Sequence, residues 1–235
     1  MPPLLAVAEV LVGTSGWSYR TWVGAFYPLR TPPARMLAEY SVRLPTVEAH
    51  NTFRRRPQQS ILQGWTESVP QEFRFAVKAH VGITHRADLA GVEERVEAFF
   101  SAVAPLGSRL GPVLFQLPHR QPDVGRLDRL LAALPAQPSA VFELAPAWHT
   151  PAIVDRLDSK GASLVTTDRD RDDAAPVLSD AGRIAYVRLR RARYDAAALD
   201  GWAARLVSLE KPTFVYFRHD GDPEEALRLY EAVRG

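Results

Sequence analysis

Six short apolar runs in this sequence carry residues that can move protons or hold anions. They are Thr46-Val47-Glu48-Ala49-His50, Arg74-Phe75-Ala76-Val77-Lys78, Val113-Leu114-Phe115-Gln116, Ala140-Val141-Phe142-Glu143, Tyr186-Val187-Arg188-Leu189-Arg190 and Val215-Tyr216-Phe217-Arg218. A β-strand turns alternate side chains to opposite faces. Within each run the polar residues share one parity, so Glu48, His50, Lys78, Gln116, Glu143, Arg188, Arg190 and Arg218 are expected on one face, at the strands' C-terminal ends. Thr166 and Asp168 extend the pattern to a further strand. A carboxylate beside a lysine can act as a general base, and a desolvated lysine as an acid or Schiff-base nucleophile. Glu48, Lys78 and Glu143 are therefore the catalytic candidates. His50, Arg190 and Arg218 tilt the face towards an anion, phosphate or carboxylate, because guanidinium forks match their oxygens. Gln116, Arg188 and Trp17 join them as candidate ligand contacts. The structural alternative is a balanced ion-pair network of Glu48 and Glu143 with Lys78 and Arg188.

Other clusters carry less. His50, Glu48, His80, Glu143, Asp168, His219 and Asp220 have metal-ligating atoms, but their spacing matches no metal motif and the nearby Lys and Arg oppose a dication. No metal and no cofactor is expected; a metal-dependent hydrolase is kept as an alternative. Trp17, Tyr19 and Trp22 are expected to pack the first loop or cover the site, with stacking on a base or sugar as the alternative. Arg54-Arg55-Arg56 reads as a solvated approach to a helix or as a phosphate clamp. Asp168-Arg169-Asp170-Arg171-Asp172-Asp173 reads as a self-paired, mobile loop.

Positioning these residues requires strands that alternate with helices. Strands are expected at about Glu9–Thr14, Thr46–His50, Arg74–Lys78, Gly111–Gln116, Ala140–Leu144, Ala162–Thr167, Ile184–Leu189 and Thr213–Phe217. Amphipathic helices are expected at about Pro33–Arg43, Gln58–Ser68, Val92–Ala104, Val124–Leu134, Ala196–Ser208 and Pro223–Val233, with a short one beginning at Pro151. The acidic segment Asp168–Ala181 lacks a period and predicts a loop with a short, irregular helix. Eight strand–helix units in one domain of this length imply a (β/α)₈ TIM barrel, whose C-terminal mouth carries the chemistry. An open doubly wound sheet is disfavoured, because no Gly-x-Gly-x-x-Gly follows the first strand.

The chain has 235 residues, no cysteine and a formal net charge of +2. Lack of cysteine excludes disulfides, thiolate metal sites and a cysteine nucleophile. The charge is too mild to imply a nucleic-acid partner by itself. No apolar run is long enough to span a membrane, and Met1–Val10 does not read as a signal peptide. A cytoplasmic location is expected.

Several motifs resemble one family. Gly13-Thr14-Ser15-Gly16-Trp17-Ser18-Tyr19 with Phe26-Tyr27-Pro28 looks like the opening of the YecE-like proteins, the domain of unknown function 72. Thr46-Val47-Glu48 with Thr52-Phe53 is similar to its second-strand motif, and Phe75-Ala76-Val77-Lys78-Ala79 with Ile83-Thr84-His85 to its third. Leu106-Gly107 and Leu110 through Pro118 are similar to its fourth; Phe142-Glu143-Leu144 with Pro146 and Trp148, Tyr186 to Leu189 and Val215 to Phe217 follow in order. The resemblance implies a TIM barrel over nearly the whole chain and no particular activity. The chain departs from the family pattern at the mouth: His50-Asn51 and Arg54-Arg55 stand for Asn-Ser and Tyr-Arg, an Arg-His pair beside Glu143 is missing, Arg190 replaces a His, and Arg218-His219 replaces an Asn pair. Together these residues predict a phosphate-bearing ligand at the mouth, held between Arg188, Arg190 and Arg218, with acid–base chemistry by Glu48, Lys78 and Glu143. The alternative is a non-catalytic protein that binds nucleic acid or a nucleotide.

Overall fold

Arg74–Lys78 is a strand whose two faces meet different surroundings. Phe75 and Val77 pack outward with helical residues, whereas Ala76 belongs to a second buried cluster with Leu11, Leu114, Val141, Tyr186 and Tyr216. Two separate apolar clusters on opposite faces of one sheet are what a barrel produces: one between strands and helices, one in the lumen. The computed structural model describes residues 9–86, 89–118, 120–170, 175–218 and 223–235.

The strands are β1 (Val10–Ser15), β2 (Thr46–Ala49), β3 (Arg74–Lys78), β4 (Leu110–Gln116), β5 (Ala140–Glu143), β6 (Ser163–Leu164), β7 (Thr166–Asp168), β8 (Ala185–Leu189) and β9 (Thr213–Phe217). Hydrogen-bonded neighbours run β6–β5–β4–β3–β2–β1–β9–β8–β7, and every pair is parallel. The two ends of that series, β6 and β7, are halves of one stretch of chain, with only Val165 between them. β6 pairs with β5 and β7 with β8, so this stretch closes the barrel as its sixth strand. The expected (β/α)₈ architecture is therefore observed.

The helices are α1 (Met36–Arg43), α2 (Gln59–Ser68), α3 (Val81–Thr84), α4 (Val92–Val103), α5 (Val124–Ala133), α6 (Pro151–Ser159), α7 (Ala196–Val207) and α8 (Pro223–Ala232). Local chemistry fixes several ends. The Asp123 and Asp195 side chains accept from the backbone N–H groups of Arg126 and Ala198, capping α5 and α7. Pro151 opens α6, where its missing N–H is harmless. The four-residue α3 was not anticipated from sequence; His80 Nδ1 accepts from the Gly82 N–H at its start. None of the described residues of Asp168–Ala181 is helical; 171–174, part of the stretch expected to hold a short helix, lie outside the described residues.

Candidate functional site

Two cross-strand pairs set the mouth. In the β1–β2 register Ser15 lies beside Glu48, and in the β4–β5 register Gln116 lies beside Glu143. Their side chains meet accordingly. Ser15 Oγ donates to Glu48 Oε1 at 2.7 Å, and Gln116 Nε2 donates to Glu143 Oε2 at 2.8 Å.

Arg188, projecting from β8, joins the two pairs. Its Nη2 donates to Glu48 Oε1 at 2.9 Å and its Nη1 donates to Glu143 Oε2. Glu48 is completely buried and also accepts from Tyr186 Oη at 2.7 Å and Arg190 Nη2 at 3.1 Å. Arg190 further donates to Ser15 Oγ and to the Phe217 carbonyl. Glu143 Oε1 accepts from Thr167 Oγ1 and Arg169 Nη2, both at 3.2 Å.

Lys78 stands apart from this ion-pair set. Its Nζ donates to Gln116 Oε1 at 2.5 Å and lies 4.0 Å from the centre of the Phe53 ring. Among the described residues no carboxylate is in ion-pair contact with it, so it does not hold Glu48 or Glu143 directly, as the sequence had suggested. Its link to Glu143 runs through the Gln116 amide. Thr52 Oγ1 donates to the Lys78 carbonyl at 2.8 Å and so clamps the Asn51–Phe53 turn onto the end of β3.

Charge states follow from these contacts. Burial alone would push the Glu48 carboxyl up; the guanidinium groups of Arg188 and Arg190, with help from His50 and the Tyr186 hydroxyl, outweigh it and hold Glu48 well below the usual carboxylate range. Burial lowers the Lys78 ammonium, Arg188 adds to that, and the two glutamates oppose it. His50 Nδ1 lies 3.6 Å from Glu48 Oε1. Burial nevertheless dominates and lowers the imidazole, the attraction of Glu48 being the main opposing influence. His50 is thus neutral near pH 7, a proton acceptor rather than a fixed cation. Tyr186 is pushed far up by burial and the Glu48 charge, and remains a hydroxyl donor.

The structure brings Glu48, His50, Lys78, Gln116, Glu143, Arg188 and Arg190 into one connected mouth. Arg218 lies at its edge, 3.8 Å from Asp170 Oδ2 and within reach of the Arg190 carbonyl. Trp17 belongs elsewhere: its ring packs edge-on against Trp65 at 5.0 Å and Phe75 at 6.4 Å, in the layer between sheet and helices. Trp22 and Tyr19 pack on each other and on the first loop. The parity assigned to the sixth strand is reversed. Thr167, not Thr166, meets Glu143, while Asp168 turns away to Arg191 Nε at 2.8 Å. Of the acidic loop, the described residues Asp168, Arg169 and Asp170 pair outside it, with Arg191, Glu143 and Arg218; the rest of the expected self-paired run, 171–173, lies outside the described residues. Ser15, Thr167 and Arg169 were missed by the sequence reading; the parity of Leu11 and Gly13 could have flagged Ser15.

Among the described residues no group of three or more His, Asp or Glu side chains is arranged to hold a metal. His119, His219 and Asp220 lie outside the described residues. No described helix is long and apolar enough to cross a membrane.

Fold and mouth together define a (β/α)₈-barrel protein with a buried ionised centre at the C-terminal ends of its strands. The chain belongs to the protein family of unknown function DUF72, whose model matches residues 11–235. It is 28% identical over 109 residues to the UPF0759 protein YecE of Escherichia coli K12, covering 46% of this chain and 38% of that protein. It is 30% identical over 115 residues to the UPF0759 protein YunF of Bacillus subtilis 168, covering 46% and 40%. The matched segment thus spans about two fifths of these relatives' length. Crystal structures of DUF72 proteins from Thermotoga maritima and Enterococcus faecalis V583 superpose with TM-scores of 0.83 and 0.78. They share 22% and 19% identity, and the superpositions cover 96% and 97% of this chain and 99% and 96% of those chains. At that identity they speak to the fold alone.

Proposed function

We propose that the barrel mouth binds a small phosphate-bearing ligand beside Lys78, with His50 as the proton-accepting group. The observation that carries this is the imbalance of charge. Arg188, Arg190 and Arg169 already serve Glu48 and Glu143. Lys78 adds a further positive charge whose contacts are a neutral amide and an aromatic ring. A cation held over a ring and an amide oxygen has desolvated faces and no counter-ion, and a ligand oxyanion supplies one. Arg188 Nε is also buried without a hydrogen-bond partner, a second donor in the same network left open.

On this reading the phosphate moves from the three arginines to Lys78. A phosphate between Arg188, Arg190 and Arg218 would compete with Glu48, Ser15 and Asp170 for donors already engaged. Beside Lys78 it displaces nothing charged. Glu48, fully buried and strongly acidic, is a poor base and serves to fix Arg188 and Arg190. Glu143 orients Gln116, which in turn presents Lys78. His50, neutral and with about a third of its side chain exposed, is the base with access to a ligand.

Thermal-shift measurements with inorganic phosphate and a panel of phosphate monoesters test this. At least one compound is expected to raise the melting temperature, and Lys78→Met to abolish the rise while His50→Asn keeps it. A panel without effect on the unaltered protein, or a shift that survives Lys78→Met, would refute the proposal.

A further inference from the structure

The turn that carries Phe53 over Lys78 continues directly into Arg54-Arg55-Arg56. All three arginines are exposed, and none of their side chains has a hydrogen-bond or ion-pair partner among the described residues. Exposed arginines on protein surfaces are commonly matched by neighbouring carboxylates. Here the sequence supplies none nearby: there is no Asp or Glu between Glu48 and Glu67, nor between Glu9 and Glu39. The loops that follow β1 and β2 are therefore wholly free of carboxylates. The loop after β4 has one, Asp123, and its oxygen caps α5. Exposed Arg20 and Arg120 lie on the loops after β1 and β4 and likewise have no described partner. The loop after β3 adds one further acid, Asp88, which lies outside the described residues; the half of the barrel rim above β1 to β4 is thus a predominantly basic arc, continuous with Lys78 through the Phe53 turn. Above β7 to β9, by contrast, Arg191 and Arg218 face Asp168 and Asp170.

We propose that this arc is a binding surface for single-stranded nucleic acid, whose phosphodiester backbone runs over Arg54, Arg55 and Arg56. One small phosphate uses one or two guanidinium forks. A row of three consecutive arginines flanked by others instead suits a ligand with repeated charges. Arg54 continues the Asn51–Phe53 turn in the αR region, and three adjacent long side chains together offer donors to more than one phosphate of a strand. The duplex grooves are read by a projecting helix or β-ribbon. Among the described residues the rim here offers only short turns, loops and the four-residue α3, which favours a single strand. Phe53, part-exposed beside the arginines and packed on His85 at 5.2 Å, adds an aromatic surface of the kind on which bases stack. The surface goes beyond the mouth site and does not depend on it, since none of its arginines contacts the Glu48–Arg188–Glu143 network.

Fluorescence anisotropy with labelled homopolymers of about 20 nucleotides, deoxythymidine and uridine in separate arms, measures the interaction across a salt series. Binding is expected at low salt, with an affinity that falls linearly with salt on logarithmic axes. The triple substitution Arg54→Ser, Arg55→Ser, Arg56→Ser should weaken binding at least tenfold and reduce the slope by about 2, since each contact with a single strand contributes roughly 0.7. That variant should retain the phosphate-dependent thermal shift of the mouth, whereas Lys78→Met should lose the shift and keep strand binding. Failure of either site is then recognised separately. Absence of binding to both homopolymers at low salt overturns the proposal. So does a slope unchanged by the triple substitution, or binding to anionic phosphatidylserine vesicles with none to the oligonucleotides.

Discussion

At the scale of the residue, Arg188 and Lys78 are both cations beside buried carboxylates, yet they do opposite things. Arg188 is 8% exposed and touches both glutamates. Removing one member of a buried pair strands the other's charge and costs about 3–5 kcal/mol. Arg188→Met is expected to destabilise by that order, read from urea denaturation. Lys78→Met strands no charge and leaves only the Gln116 oxygen short of a donor, so its cost should stay near 1 kcal/mol. Equal losses in the two variants would mean that Lys78 neutralises a glutamate after all. The depressed Glu48 carboxyl makes a second prediction. Its contribution to stability is fully present above the ordinary carboxylate value of about 4.3 and is lost as pH falls from there towards the lower folded value. Unfolding midpoints should therefore drop below pH 4, and Glu48→Gln, less stable at pH 7, should show a smaller drop. An identical acid response in the variant would remove Glu48 from the explanation. The sequence made Glu48, Glu143, Gln116 and Arg188 visible because each ends an apolar run on a consistent parity. It could not show which cation reaches which carboxylate, because partner choice depends on side-chain reach across the lumen. Trp17 was misplaced for a related reason: an aromatic on a mouth loop can fold back over the strand edge, as this one does onto Trp65 and Phe75.

At the scale of the element, strand alternation was the reliable signal and helix chemistry the next. The sixth strand shows where both ran out. Thr166 and Thr167 are equally polar, so the pattern alone could not decide which one faces the lumen. Val165 settles it, since it is buried in the lumen cluster and Thr167 shares its parity. Closure at this strand is also economical in residues: two pair with β5 and three with β8. Gly13 of β1 lies directly beside Thr46 of β2, two residues below the Ser15–Glu48 pair of the mouth. A Cβ on Gly13 would stand 2.0 Å from the Thr46 carbonyl oxygen, an approach that neither strand can relieve without moving apart. Gly13→Ala is expected to cost about 3 kcal/mol or more, the upper end for overpacking. Because Ser15 and Glu48 sit two residues along the same two strands, it should also weaken the phosphate-dependent thermal shift. A variant with unchanged melting behaviour would show that the strands separate freely.

At the scale of the whole molecule, the eight-unit rhythm made the barrel legible from sequence, and the acid-free loops were there to be read as well. The sequence reading weighed Arg54 to Arg56 as a cluster, but only the topology places them on the same rim as Arg20 and Arg120. Net charge concealed this, because a chain with a formal charge of +2 can still keep carboxylates out of two neighbouring rim loops. The arginine that bridges the mouth has a further consequence for the chain's birth. Arg188 lies 140 residues after Glu48 and 45 after Glu143. During synthesis both carboxylates leave the ribosome well before their shared counter-ion exists, so a nascent barrel cannot seal its lumen against water until β8 has emerged. A chain stopped after residue 183 should accordingly stay expanded, bind the dye ANS and unfold without a cooperative transition, whereas a compact, dye-silent fragment would show that six of the eight barrel strands can assemble around bare charge. For this protein, translation itself sets the earliest moment at which the fold can become dry.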